Sequence, residues 1–132
     1  MQDIVIIVKG RPVSVNSSSR NKNRWKKNVA TEAQKVCSKP VADNNLIITI
    51  TFFYKAYPDF DSDNMSKPIC DALNGTAYYD DNQIQDRHVR KTDMNGTFTI
   101  KNPNSEVTSA LANGEDFVCI SIKNANLGEV EI

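Results

Sequence analysis

Acidic residues stand at positions 61, 63 and 71 of this chain with a lysine at 67 between them, and two more acids follow at Asp80 and Asp81. If Asp63 opens a helix, steps of four place Asp63, Lys67 and Asp71 on one face, so that an ammonium sits between two carboxylates. Brought beside Asp61 and Asp81, that face has the composition of a magnesium site with a cation attached. Such a set suits phosphodiester cleavage, in which metal activates water and stabilises the leaving oxygen while the ammonium balances developing charge. The plain alternative for the same acids is a solvated face followed by a turn, with Lys67 pairing to its helix neighbours for a few tenths of a kcal/mol. Asp59, Asp61 and Asp63 also imitate the start of a calcium-binding EF-hand loop. That loop needs a glycine and later a glutamate where this chain has Asn64 and Cys70, and it is rejected.

The elements that must position these residues can be read from periodicity. Ile4 to Val8 is β-branched and predicts a strand ending at Gly10. Pro12 to Asn23, with three consecutive serines and several asparagines, predicts a polar loop. Trp25 to Ser38 has helical spacing in Trp25, Val29 and Ala33, and Pro40 stops it. Leu46 to Tyr57 alternates as a long strand, with Ile48, Ile50, Phe52 and Tyr54 on one face. Asp63 to Leu73 predicts a helix capped by Asn74-Gly75, starting no earlier than Asp63 because Pro68 fits best in a first turn. Gln83 to Lys91 predicts a strand, Asp93-Met94-Asn95-Gly96 a hairpin turn, and Thr97 to Lys101 its return strand. Asn104 or Ser105 caps a short helix through Leu111, closed by Asn113-Gly114, and Phe117 to Lys123 is the last strand. The fold class is α+β: a mixed sheet with two main helices and a β-hairpin.

At 132 residues one domain is expected, running from 1 to 132, with a basic loop at 10–28, an acidic motif at 59–84 and a variable C-terminal part at 101–132. Acidic and basic residues number 16 each, which argues at first against a nucleic-acid partner. Their order reverses that argument. Lys9 to Pro40 holds nine basic residues against Glu32 alone, whereas Val41 to Asp86 holds eight aspartates against Lys55 and Lys67. The basic run can hold phosphates by releasing counterions, and the acidic run repels DNA unless divalent cations neutralise it.

Cys37, Cys70 and Cys119 have no CxxC spacing and His88 is the only histidine. A zinc finger or a Cys/His hydrolase is therefore not expected, and buried single thiols in a reducing compartment are. His88 and Trp25 are expected to be structural. The run Ile4 to Val8 is too short for a signal peptide and no segment approaches the ~20 apolar residues of a membrane helix. The expected location is cytoplasmic, with no membrane partner.

The run Asp61-x-Asp63-Asn64-x-x-Lys67-x-x-x-Asp71-Ala72-Leu73-Asn74, with Tyr79-x-Asp81-x-Gln83-Ile84 after it, resembles the core of RusA-type Holliday-junction resolvases, small phage-derived endodeoxyribonucleases. Upstream, Pro12-Val13-Ser14-Val15-Asn16 is similar to the Pro-x-Ser-x-Asn segment of that family. The resemblance implies that Asp61, Asp63 and Asp81 bind Mg2+, for which Mn2+ can substitute, and that Lys67 is the catalytic lysine. Asp71 falls where the family carries an acid and is expected behind or facing the metal, while Asp80 is expected to do turn chemistry. The resemblance further implies a homodimer whose two sites nick symmetrically related strands of a four-way junction, in phage or prophage recombination and DNA repair. Arg11, Asn16, Arg20, Lys22, Arg24, Lys26 and Lys27 would then grip the junction arms. Two other readings stay open: a noncatalytic DNA-binding or protein-interaction module of the same fold, which the zero net charge favours, and a nuclease for flaps or other branches.

Overall fold

In the computed structural model, which describes residues 1–130 and 132, the apolar alternation of four segments becomes one mixed sheet. Strands β1 (Ile4–Lys9), β2 (Leu46–Tyr54), β3 (Ile84–Asp93) and β4 (Phe117–Asn124) lie in the order β1-β4-β2-β3. β4 is antiparallel to both its neighbours, whereas β2 and β3 are parallel and are joined across the sheet by helix α2 (Ser62–Leu73). A parallel pair requires such a crossover. The long helix α1 (Ser19–Val36) joins β1 to β2, and the short α3 (Ser105–Asn113) precedes β4. The α+β class with a mixed sheet is as the sequence suggests.

One face of the sheet carries Ile6 and Val8 of β1, Ile48, Ile50 and Phe52 of β2, and Ile120 and Ile122 of β4, all buried beneath α1 and α2. Trp25, Val29 and Ala33 of α1 and Met65, Ile69 and Leu73 of α2 close over them. Each fully buried aliphatic side chain here contributes about 1.5–3 kcal/mol. This core fixes the rotation of α2, so its polar stripe must face away from the sheet. On the opposite face, Phe53, Phe117 and Ala110 form a smaller cluster under α3.

Several boundaries differ from expectation for identifiable reasons. α1 begins at Ser19, within the segment expected as loop, because the Ser18 hydroxyl accepts from Asn21 N at 3.2 Å and caps it. Its first turns are polar on every side, so hydrophobic spacing gave no signal there. β2 stops at Tyr54, short of Tyr57. α2 begins at Ser62, one residue earlier than expected, which leaves Pro68 beyond the first turn. A proline there removes the hydrogen bond to the carbonyl four residues before it. That carbonyl, Asn64 O, instead accepts from Val15 N at 2.9 Å. The turn after Asp93 forms, but no return strand follows: Thr97 to Ile100 runs without strand pairing, and β3 remains a sheet edge. α3 is capped by Asn104 and ends on Gly114, whose φ of +70° suits glycine.

Candidate active site

α2 delivers most of the acidic motif. Asp61 is its N-cap, the side chain accepting from Asn64 N at 2.9 Å, and Asp63 lies in the first turn. Both carboxylates sit at the positive end of the helix dipole. The residue before the cap is held independently, because Lys91 Nζ of β3 donates to Phe60 O at 2.9 Å and lies 5.0 Å from the Tyr57 ring centre. Lys91 thereby positions the entry to α2 from the neighbouring strand.

Along the exposed stripe, Lys67 Nζ meets Asp71 at 3.2 Å. Asp71 also lies 3.9 Å from Lys26 Nζ of α1. Lys67 is therefore paired with one of its two acid neighbours, and among the described residues Asp63 makes no ion pair. A cleft of about 380 Å3 opens beside the stripe, lined by Ser62, Asp63, Ser66, Lys67, Arg87 and Val89. Ser66 Oγ donates to Asp63 O at 3.1 Å, which keeps the serine turned into its own helix.

Asp81 arrives from a different direction. It starts a single 3-10 turn, Asp81–Gln83, capped by Asp80, whose side chain accepts from Asn82 N at 3.4 Å. Asp80 thus has the turn role expected of it. Gln83 is buried, and all its bonds are used: its Oε1 accepts from Tyr79 N at 2.8 Å and Asp80 N at 3.0 Å, and its Nε2 donates to Val41 O at 2.9 Å and Asp43 O at 2.7 Å. This amide pins the acidic turn to the segment entering β2. Tyr78, also fully buried, donates from its hydroxyl to Cys70 O at 3.0 Å and so joins the same turn to the end of α2.

Burial raises the Cys70 thiol and pushes the Tyr78 phenol well above its ordinary range, with the Arg87 charge acting in the opposite sense and the Asp81 charge adding to the rise. Asp81 thus follows a segment tied to the C-terminal half of α2, while Arg87 of β3 lines the cleft beside the first turns of that helix.

Asp61, Asp63 and Asp71 lie along α2 and Asp81 opens the separate turn that follows it, and among the described residues no three acidic, histidine or cysteine side chains are gathered closely enough to hold a metal ion. The donors present are nonetheless all carboxylate oxygens, exposed at Asp61, Asp63 and Asp81 and partly buried at Asp71, the chemistry that a hard divalent cation takes. The expected basic loop is mostly the first half of α1, from which Arg20, Arg24 and Lys27 project exposed. Arg11 stands apart. It donates to Asp116 at 2.8 Å and to Ala56 O at 3.1 Å, and it lies 5.5 Å from the Phe52 ring centre. Asn16 is exposed, its backbone N–H donating to Ser14 Oγ at 3.1 Å.

Arg87, Lys91 and the anchoring role of Gln83 are additions that sequence reasoning missed. For the two cations a signal existed, since Arg87, Val89 and Lys91 share one parity on β3 and register with buried Ile48, Ile50 and Phe52. Two cations on the core-facing side of a strand have to face something polar. No helix among the described residues is long and apolar enough to cross a membrane.

The family described as endodeoxyribonuclease RusA matches residues 8–107. No curated protein matches the chain. The match runs from the end of β1 through both main helices, the acidic turn and β3, and the chain belongs to the RusA endodeoxyribonuclease family.

Proposed function

We propose that this RusA-family chain is a magnesium-dependent, structure-selective endodeoxyribonuclease, acting as one domain and as a homodimer that resolves four-way DNA junctions by paired symmetric nicks. The observation that carries the reading is the cleft at the start of α2, where Asp63 lies among Lys67, Arg87 and the N-terminus of the helix in a chain of a nuclease family.

Asp61, Asp63 and Asp81 would hold the cation, with Asp71 behind them. Bound there, Mg2+ supplies an acidified water and charge stabilisation at the leaving oxygen. The protein groups do the rest. Lys67 has an exposed ammonium within reach of the cleft, so it can leave Asp71 and face the non-bridging phosphate oxygens as negative charge builds on them. Arg87, entering the cleft from β3, can hold a second phosphate oxygen in the planar fork geometry of guanidinium. Lys91 and Gln83 keep the two acid-bearing segments in place from opposite sides. Arg20, Lys22, Arg24, Lys26 and Lys27 on α1, with Asn16 before it, would contact the backbone of the arms. Resolution needs two cuts, and two subunits supply one site each.

The test is magnesium-dependent cleavage of a synthetic junction with a mobile core beside a linear duplex of the same sequence, using wild type, Asp63→Asn and Lys67→Ala. Symmetric nicks in the junction alone, lost in both variants with unchanged circular dichroism, support the reading. Retained nicking in both variants refutes the site. The second reading, a noncatalytic junction-binding module, is favoured by the carboxylates not being gathered into a metal cluster among the described residues. It predicts tight junction binding in calcium or EDTA and no nicking in magnesium or manganese.

A further inference from the structure

The face of the sheet opposite the cleft carries a groove of about 690 Å3, larger than the one at the acidic motif. Its floor is formed by Thr49, Thr51 and Phe53 of β2, Arg90 and Thr92 of β3 and Lys123 of β4, and its wall by residues 98–102. These side chains share a face because Thr49, Thr51 and Phe53 register with His88, Arg90 and Thr92 on one side and with Ser121, Cys119 and Phe117 on the other. α3 packs against β1 on this side and meets Phe53 only at one end. The missing return strand is what leaves the groove: Thr97 to Ile100 follows the face without pairing to β3.

Three features distinguish this groove chemically. No aspartate or glutamate lines it. Among the described residues Arg90, Lys101 and Lys123 make no ion pair, unlike Lys26 and Lys67, which meet Asp71, and Arg11, which meets Asp116. At the wall, Phe98 is 37% exposed, its ring 5.8 Å from that of Phe53, which in turn stacks on Phe117 at 4.7 Å. Uncompensated cations on a sheet, threonine hydroxyls between them and an aromatic ring beside them make a surface for phosphates along a backbone with an unstacked base against the ring. A duplex offers no free base face, so the aromatic wall selects an unpaired strand.

We infer that this groove binds a single-stranded segment of DNA, through phosphate contacts to Arg90, Lys101 and Lys123 and base stacking on Phe98. The site lies across the sheet from the cleft and rests on the reading of the chain as a DNA-acting protein. An unpaired strand at a branch could then be held while the cleft engages the duplex.

The test is fluorescence anisotropy of a labelled oligo(dT) in EDTA across a salt series, with wild type, the triple variant Arg90→Gln/Lys101→Gln/Lys123→Gln, and Phe98→Ala, each checked for an unchanged melting curve. Losing three phosphate contacts on a single strand should lower the slope of log affinity against log salt by about 2. Loss of one stacking platform in Phe98→Ala should weaken binding roughly tenfold at fixed salt. Junction nicking run in parallel separates the two readings: a wild type that does not nick but shows the slope difference loses the proposed activity and keeps the groove. Slopes and affinities equal to wild type in both variants, or no oligo(dT) binding by wild type, overturn the inference. So does displacement of the oligonucleotide by inorganic phosphate at matched ionic strength, which would mark a small-anion site.

Discussion

Replacing Gln83 with methionine isolates the part of the site held by a neutral amide. Methionine fills a similar volume, but it can neither accept from Tyr79 N and Asp80 N nor donate to Val41 O and Asp43 O, so four hydrogen bonds between 2.7 and 3.0 Å are lost. The backbone groups remain, and with Gln83 only 6% exposed, water reaches them poorly. At about 1 kcal/mol for each bond the loss is about 4 kcal/mol. An unfolding entropy of about 2.1 cal/mol/K per residue amounts to about 0.28 kcal/mol/K for this chain, so the melting temperature should fall by about 14 °C. Thermal unfolding followed by far-ultraviolet circular dichroism reads this directly. Below the new transition, Asp81 loses its anchor, so junction nicking should drop while junction binding in EDTA persists. A melting shift under about 3 °C would mean that water replaces the amide freely, and the argument that Gln83 fixes the acidic turn would fail.

Other perturbations separate roles that one residue combines. Asp61 is both helix cap and proposed ligand; Asp61→Asn keeps a good cap and should leave stability within about 0.5 kcal/mol while abolishing nicking, whereas Asp61→Ala should also lose about 1 kcal/mol in urea unfolding. Pro68→Ala restores an N–H that competes with Val15 N for Asn64 O, so amide exchange at Val15 should quicken even as α2 gains a helix bond. Burial pushes the Cys119 thiol up from 9.0 to about 11. Because the folded value is raised, thiolate at pH 8 is about a hundredfold scarcer than in the unfolded chain, and iodoacetamide labelling followed by mass spectrometry should be slower by about that factor until urea is added.

How far these features could be read from the sequence depended on whether a residue's partner lies nearby in the chain. The face of α2, the alternation of β2 and the caps of α3 are local patterns of period 3.6 or 2, and they appear where the residues predict them. The start of α1 was hidden because Ser19 to Arg24 is polar throughout and only the Ser18 cap marks it. The absent return strand shows the limit of turn chemistry. Asp93 to Gly96 makes its turn, with Asn95 N donating to Asp93 Oδ1 at 2.9 Å, yet a turn does not supply a second strand with an apolar face to pair. Within the site, the acids were visible as a motif. Arg87, Lys91 and the four partners of Gln83 depend on β3 lying beside α2 and on the segment before β2 reaching the acidic turn, contacts that no local spacing encodes.

The same contacts explain how a chain of zero net charge can serve a polyanionic substrate. The basic and acidic runs do not cancel at a distance; α1 and α2 pack together, and Asp71 stands between Lys26 and Lys67. These pairs are partly exposed, so each is worth only about 0.2–1 kcal/mol. Lys67 can therefore exchange Asp71 for a phosphate at little cost, and Asp71 keeps a second cation, Lys26, when it does. An ammonium held loosely by one acid is kept near the cleft and oriented along the stripe without being locked away from substrate. Tight bidentate pairing of the kind available to arginine would oppose that exchange, which gives a physical reason for lysine at position 67 and for a helix spacing of four between it and its acid.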